Sequence, residues 1–228
     1  MRNSIFAVLA LSLGLATSAD ASLVAGWNLA LAPGGASTYA ATAAAGGVTG
    51  TALTRGVGLG TVNANAGNFA ASGWNQQASD YLSFGFTVAS GSSVNLSSLQ
   101  IGTRSEGGAP GTLALRSSVD GFGSNLFTFN QFATDGAEWG SGAGFIFSVI
   151  DLSALTNLTG TVEFRIHQVG STAANGSVTD PMRHFRLTNY FWGGVDQGNM
   201  SFSGTVVPAP GALALVGVCG LVAARRRR

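Results

Sequence analysis

Lysine is absent from the 228-residue chain, whose eleven basic residues are all arginine. A phosphate-cradling loop that needs a lysine is therefore excluded, and apart from the four terminal arginines the cations are few and scattered and form no basic patch, so no nucleic-acid partner is expected. Cysteine occurs once, at Cys219, which rules out an internal disulfide and any C-x-x-C metal or redox motif. The two histidines, His167 and His184, stand too far apart in sequence for an H-E-x-x-H zinc pattern. No G-x-S-x-G nucleophile elbow and no G-x-G-x-x-G dinucleotide fingerprint occur, and the glycines of Gly56-Val57-Gly58-Leu59-Gly60 lack that spacing. No cofactor and no metal are implied. Charge is sparse at 9% of residues, yet 14 Phe and 4 Trp supply the bulk that disordered chains lack.

Long apolar runs are also few, and the two best lie at the ends. Met1 to Ala21 begins with Arg2, runs through Ile5 to Leu15 and reaches Ala19-Asp20-Ala21, an A-x-A cleavage pattern. The run is too short to span a bilayer and reads as a signal peptide, residues 1–21, cut beside Ala19 and Ala21. At the other end, Gly211 to Ala224 carries no charge and is followed by Arg225, Arg226, Arg227 and Arg228. As a helix it would be roughly 21 Å long against a hydrocarbon core of roughly 30 Å, so insertion by apolar residues alone is marginal. The arginines would add about 1 kcal/mol each at an anionic leaflet and set the orientation, with the cluster inside and everything before Pro208 outside.

Val207-Pro208-Ala209-Pro210, the Gly/Ala/Leu/Val run and the terminal arginine cluster together resemble the PEP-CTERM sorting signal of bacterial envelope proteins. Ala209 stands where the family's name expects Glu. The resemblance covers about the last twenty residues and implies a transmembrane sorting helix over residues 211–224 within a segment 206–228. It also implies transient anchoring in the inner membrane, recognition by an exosortase-type processing enzyme, and delivery to the cell surface or extracellular matrix. The ordinary alternative is a C-terminal anchor that stays in place.

Between these segments lies a domain spanning residues 22–205. Removing Arg2, Arg225–Arg228 and Asp20 leaves 6 basic and 9 acidic residues, a mildly acidic product of net charge −3. Roughly 185 residues can bury about 70% of their unfolded surface, so folding rests on burial rather than on cross-links. Leu82, Phe84, Phe86 and Val88 alternate with Tyr81, Ser83, Gly85 and Thr87, the period of a strand with one buried face. Val162, Phe164 and Ile166 alternate in the same way with Glu163, Arg165 and His167, as Leu113 and Leu115 do with Thr112, Ala114 and Arg116. Further strands are expected in Leu23–Leu29, Leu96–Ile101, Asn125–Phe132, Phe145–Leu152, Phe185–Phe191 and Met200–Val207. Turn dipeptides Asp120-Gly121, Asp135-Gly136 and Asn175-Gly176 separate them. The expected fold is all-β, a two-sheet β-sandwich of jelly-roll type. Residues 33–73, poor in periodicity, are expected to be loop-rich or to form weak edge strands. The stretches Leu115–Phe122, Asp151–Ser153 and Val162–Arg165 are similar to the β-sandwich ectodomain of many PEP-CTERM proteins, which implies a fold and an extracellular setting without an activity.

Three kinds of function stay open. The first is a non-enzymatic surface or matrix protein associated with exopolysaccharide. The second is a carbohydrate-binding module. Trp74, Trp139 and Trp192 lie in the polar, glycine-rich contexts SGWNQQ, AEWGSG and FWGGVDQ, where an exposed indole would serve as a stacking platform; the alternative is that they pack over the core. The third is a secreted hydrolase, which would need a carboxylate and a hydroxyl to converge on His167 or His184. Arg116 and Arg165 are expected on outward or sheet-edge positions, where they could pair with Asp120, Asp151 or Glu163. Asp120 and Asp135 lack the D-x-D-x-D spacing of a calcium loop and read as turn formers.

Overall fold

The alternation of Tyr81–Val88 is realised as an extended strand whose Leu82, Phe84 and Phe86 are fully buried. The computed structural model describes residues 21–33, 35–62, 66–132, 145–189, 191–192, 195–196 and 199–208. In chain order its strands begin with β1 (Ser22–Trp27), β2 (Ala43–Ala44), β3 (Val48–Gly50), β4 (Thr54–Arg55), β5 (Gly60–Thr61), β6 (Asn68–Ser72), β7 (Tyr81–Val88) and β8 (Ser92–Ser105). They continue with β9 (Thr112–Ser117), β10 (Phe127–Asn130), β11 (Ile146–Asp151), β12 (Gly160–Gln168), β13 (Phe185–Thr188), β14 (Phe191–Trp192), β15 (Val195–Asp196) and β16 (Met200–Pro208). Every stretch expected to be extended contains one of them. The chain is all-β, with two antiparallel sheets facing one core.

The larger, eight-stranded sheet is built along β8. Thr103 pairs with both Ile146 and Leu187, and Gln100 with both Val149 and Ser201, so β11 occupies one edge of β8 while β16 and β13 share the other end to end. Beyond them lie β1 on β16 and β6 on β13. The smaller sheet runs β10-β9-β12-β7-β3, with β4 also on β7. Where β16 crosses to its new register at Ser203/Gly204, a Cβ on Gly204 would stand 2.3 Å from the Asn95 carbonyl oxygen, so only glycine permits that approach.

The two inner faces meet through aromatic rings. Phe202 of β16 lies 4.6 Å from Phe164 of β12 and 5.5 and 5.8 Å from Phe86 and Phe84 of β7. Trp27 of β1 stands edge-on to Phe84 and Phe202 at 5.8 and 6.0 Å, its indole N–H donating to the Thr51 carbonyl at 3.0 Å. Burial of each such side chain stabilises by about 2–3 kcal/mol before the entropy of ordering is counted.

Residues 33–73 carry five short strands, β2 to β6. Four are two or three residues long, while β6 is a buried interior strand between β13 and β5. Arg55 fastens this stretch: its guanidinium donates to the carbonyls of Ala36, Ser37 and Ala70 and lies 3.9 Å over the Phe69 ring. Burial lowers its pKa to about 10, so it keeps its charge at neutral pH. β16 runs on to Pro208, so the boundary expected at residue 205/206 falls inside a strand. Among the described residues no helix is long and apolar enough to cross a membrane, and residues 211–224 lie outside them.

Phe202 is the common partner of both sheets. Phe202→Ala is expected to cost about 4 kcal/mol, read as a fall in urea midpoint at unchanged slope, whereas Thr161→Ala on the exposed face should cost under about 0.5 kcal/mol.

Candidate functional site

Trp74 is 1% exposed and offers no stacking face. This corrects the expectation of a carbohydrate platform there. Its indole N–H is satisfied three residues back by the Ala71 carbonyl at 2.9 Å and its ring stands edge-on to Phe185 at 5.8 Å, so it buries in full despite polar neighbours. Asp80 explains the polar context: its carboxylate accepts from the backbone N–H groups of Asn75 and Gln77 at 2.8 and 2.9 Å and folds SGWNQQ back on the core. Trp139 lies outside the described residues, and Trp192 is placed only as backbone in β14. Of the sorting residues, Val207 and Pro208 pair with Ser93 and Ser92 at the end of β16. Ala209, Pro210, Arg225, Arg226, Arg227, Arg228 and Ala19 lie outside the described residues, and Ala21 is exposed just before β1.

The two histidines sit in different clusters. At one end of the larger sheet, His184 Nδ1 lies 3.0 Å from Glu106 Oε1, and its backbone N–H donates to Glu106 Oε2 at 3.1 Å. Because the carboxylate only accepts, Nδ1 carries the proton. The same carboxylate pairs with Arg186, which is buried beside Arg104 across β13 and β8. Burial lowers the Arg186 pKa, and Glu106 acts against that shift. A carboxylate therefore meets His184 as a hydrolase requires, but among the described residues no hydroxyl hydrogen-bonds to either imidazole. With a guanidinium competing for Glu106, this pair ties β13 to the loop after β8.

The second cluster lies on the outer face of the smaller sheet. Register places Arg165 opposite Ser83 on β7 and Arg116 on β9, and His167 opposite Tyr81 and Ala114. Arg165 holds Glu163 in a forked pair at 2.7 and 3.2 Å, while Ser83 donates to the same carboxylate at 2.8 Å. Burial pushes the Glu163 carboxyl up, but the bonds from Arg165 and Ser83 outweigh it, and its pKa falls below the usual range. The Arg165 guanidinium lies between two rings, 4.1 Å from Tyr81 and 4.0 Å from Phe122. Phe122 reaches that position from a left-handed backbone, φ 63°, after Gly121 at φ 68°. For a bulky residue this is an unfavourable conformation, held by the Phe122 N–H on the Ser117 carbonyl at 2.8 Å. Asp120 completes the turn by accepting from Ser124 at 2.9 Å, Asp151 likewise caps Ser153 at 2.8 Å, and neither pairs with an arginine among the described residues. Arg116 instead donates from Nε to the neutral Asn125 side chain at 2.8 Å.

Alternation marks Tyr81, Arg165 and His167 as outward, but their convergence depends on strand register, and Phe122 enters through turn geometry. Two shallow grooves, of about 240 and 450 Å³, are lined by apolar and neutral polar residues, with no group able to exchange a proton near neutral pH.

His167 has its pKa lowered to about 4, first by burial and then by the charges of Arg116 and Arg165, with Asp80 and Glu163 acting the other way. The unfolded imidazole takes up its proton near pH 6.5, so between there and about pH 4 the unfolded state binds more protons. The stability this contributes is present above that window and lost as pH falls through it, by at most about 1.4 kcal/mol per pH unit. Urea midpoints followed by circular dichroism should decline across this range, and His167→Gln should flatten that part of the curve. Comparison with protein-family models, curated proteins and solved structures finds no match to this chain.

Proposed function

We propose that the chain is an exported, non-enzymatic protein of the bacterial cell surface or extracellular matrix. It is delivered by its signal peptide, held briefly in the inner membrane by the segment after Pro208, and released by an exosortase-type enzyme to associate with exopolysaccharide. The observation that carries this reading is the bracketing of one β domain by two address segments. β1 begins at Ser22, directly after Ala19-Asp20-Ala21, and β16 ends at Pro208, within Val207-Pro208-Ala209-Pro210. The two ends also leave the domain together, since Ser22 pairs with Gly204 and β16 then runs four residues further beside Ser92 to Asn95. Only Ala209 and Pro210 separate that strand from the apolar run, which would seat the domain directly on the outer surface of the membrane before release.

The jelly-roll assignment belongs to the same reading. From β6 to β13 the chain changes sheet at each step except the β9–β10 hairpin, as two interleaved Greek keys require. Intact mass and thiol titration of the exported protein test the sorting step. The expected product begins at Ser22, lacks Cys219 and the four arginines, and reacts with no thiol reagent; a product retaining Cys219 would overturn exosortase-type release.

A further inference from the structure

The outer face of the smaller sheet holds a charge arrangement that folding alone does not require. Arg116 and Arg165 stand directly opposite each other on β9 and β12, and like charges in that relation destabilise a sheet. Arg165 is neutralised by Glu163, but Arg116 has no carboxylate partner among the described residues and spends only its Nε on Asn125. One positive charge is thus left over on this face of a domain whose net charge is −3 between its address segments. Its terminal guanidinium nitrogens form the fork that suits a carboxylate in two parallel hydrogen bonds.

Beside this fork the surface is aromatic. Tyr81 and His167, both half-buried, lie next to each other with ring centres 5.3 Å apart, and His167 Nε2 is turned inward, buried without a hydrogen-bond partner. The group is rigid: the Arg165 guanidinium is clamped between Tyr81 and Phe122 and forked to Glu163, so little side-chain entropy remains to be lost on binding. Three adjacent strands and two outward positions along each give a footprint of roughly 10 Å by 7 Å, the scale of one or two pyranose rings.

We propose that Arg116, with Tyr81 and His167 beside it on the clamped Arg165, forms a binding site for a carboxylate-bearing saccharide of the uronic-acid class. Arg116 takes the carboxylate, and the parts of the two rings that Arg165 leaves uncovered meet the apolar side of the sugar. A bare polyanion satisfies only the first contact and a neutral glucan only the second. The proposal rests on the matrix reading above only in that the polymer is met outside the cell; that reading is tested by the processed mass, so failure at this site leaves it standing.

Calorimetric titration of the full chain in detergent with trigalacturonate provides the test. Binding is expected, with Arg116→Gln weakening it about tenfold or more and Arg116→Lys, which keeps the charge but loses the fork, falling between. The unfolding midpoint of each variant should stay close to the parent's, since Arg116, though half-buried, makes one hydrogen bond, to an exposed Asn125. The methyl ester of the same oligomer and polyglutamate should both bind at least about tenfold more weakly. Undiminished affinity in Arg116→Gln, equal binding of the methyl ester, equal binding of polyglutamate, or no heat with trigalacturonate would each overturn the site.

Discussion

Contact between the two sheets through Phe202 is the constraint on which the fold depends. With its only cysteine in the C-terminal apolar run, the domain has no disulfide to limit the unfolded chain, so cohesion between the sheets falls to a dry aromatic interface. Phe202 touches rings from β1, β7 and β12, and sits on the last strand of the domain. From Met200 to Gly204, β16 lies between β1 and β8, so the stretch that carries Phe202 is interior and cannot open without exposing the core. A segment that followed Pro208 would leave from a strand anchored at Phe202, six residues earlier.

Cohesion within the loops is polar and uses guanidinium groups. Arg55 gathers carbonyls from two loops and covers Phe69, Arg186 ties β13 to Glu106, and Arg165 joins β12 to the β9–β10 turn through Phe122. Lysine's ammonium, more strongly hydrated and without a planar fork, would do each of these tasks less well, because each combines several directed hydrogen bonds or a stacked plane with partial burial. The absence of lysine thus goes with the way the charged residues serve as cross-links.

The strands were legible where one face is apolar and the other polar, as in Tyr81–Val88 and Gly160–Gln168, because a period of two encodes a half-buried sheet directly. β6 was not: Asn68–Ser72 is buried on both sides and small, and its order comes from Arg55 and from pairing with β13, neither of which leaves a local pattern. Trp74 misled for a related reason. Its neighbours are polar because they serve Asp80 and the turn, not because the indole meets water. Outward positions of Arg165, His167 and Tyr81 could be read from alternation, whereas the adjacency of Arg165 and Arg116 required the register of β9 against β12, which the intervening β10, β11 and loops set.

Position on the sheet also separates the tasks of the molecule. β8 starts at Ser92 beside Pro208 and ends at Ser105, so the Glu106–His184–Arg186 cluster lies at the far end of the domain from the C-terminal exit. The Arg116–Tyr81–His167 face lies on the other sheet, towards the same far end, since Tyr81 and His167 pair at the end of β7 opposite Val88 and the β7–β8 connection. A domain resting on a membrane by the Pro208 end would keep this face clear of the lipid. Charge would act in the same direction in the proposed setting: the arginine cluster at the terminus would hold the tail to an anionic leaflet, while a domain of net charge −3 would be repelled from such a surface.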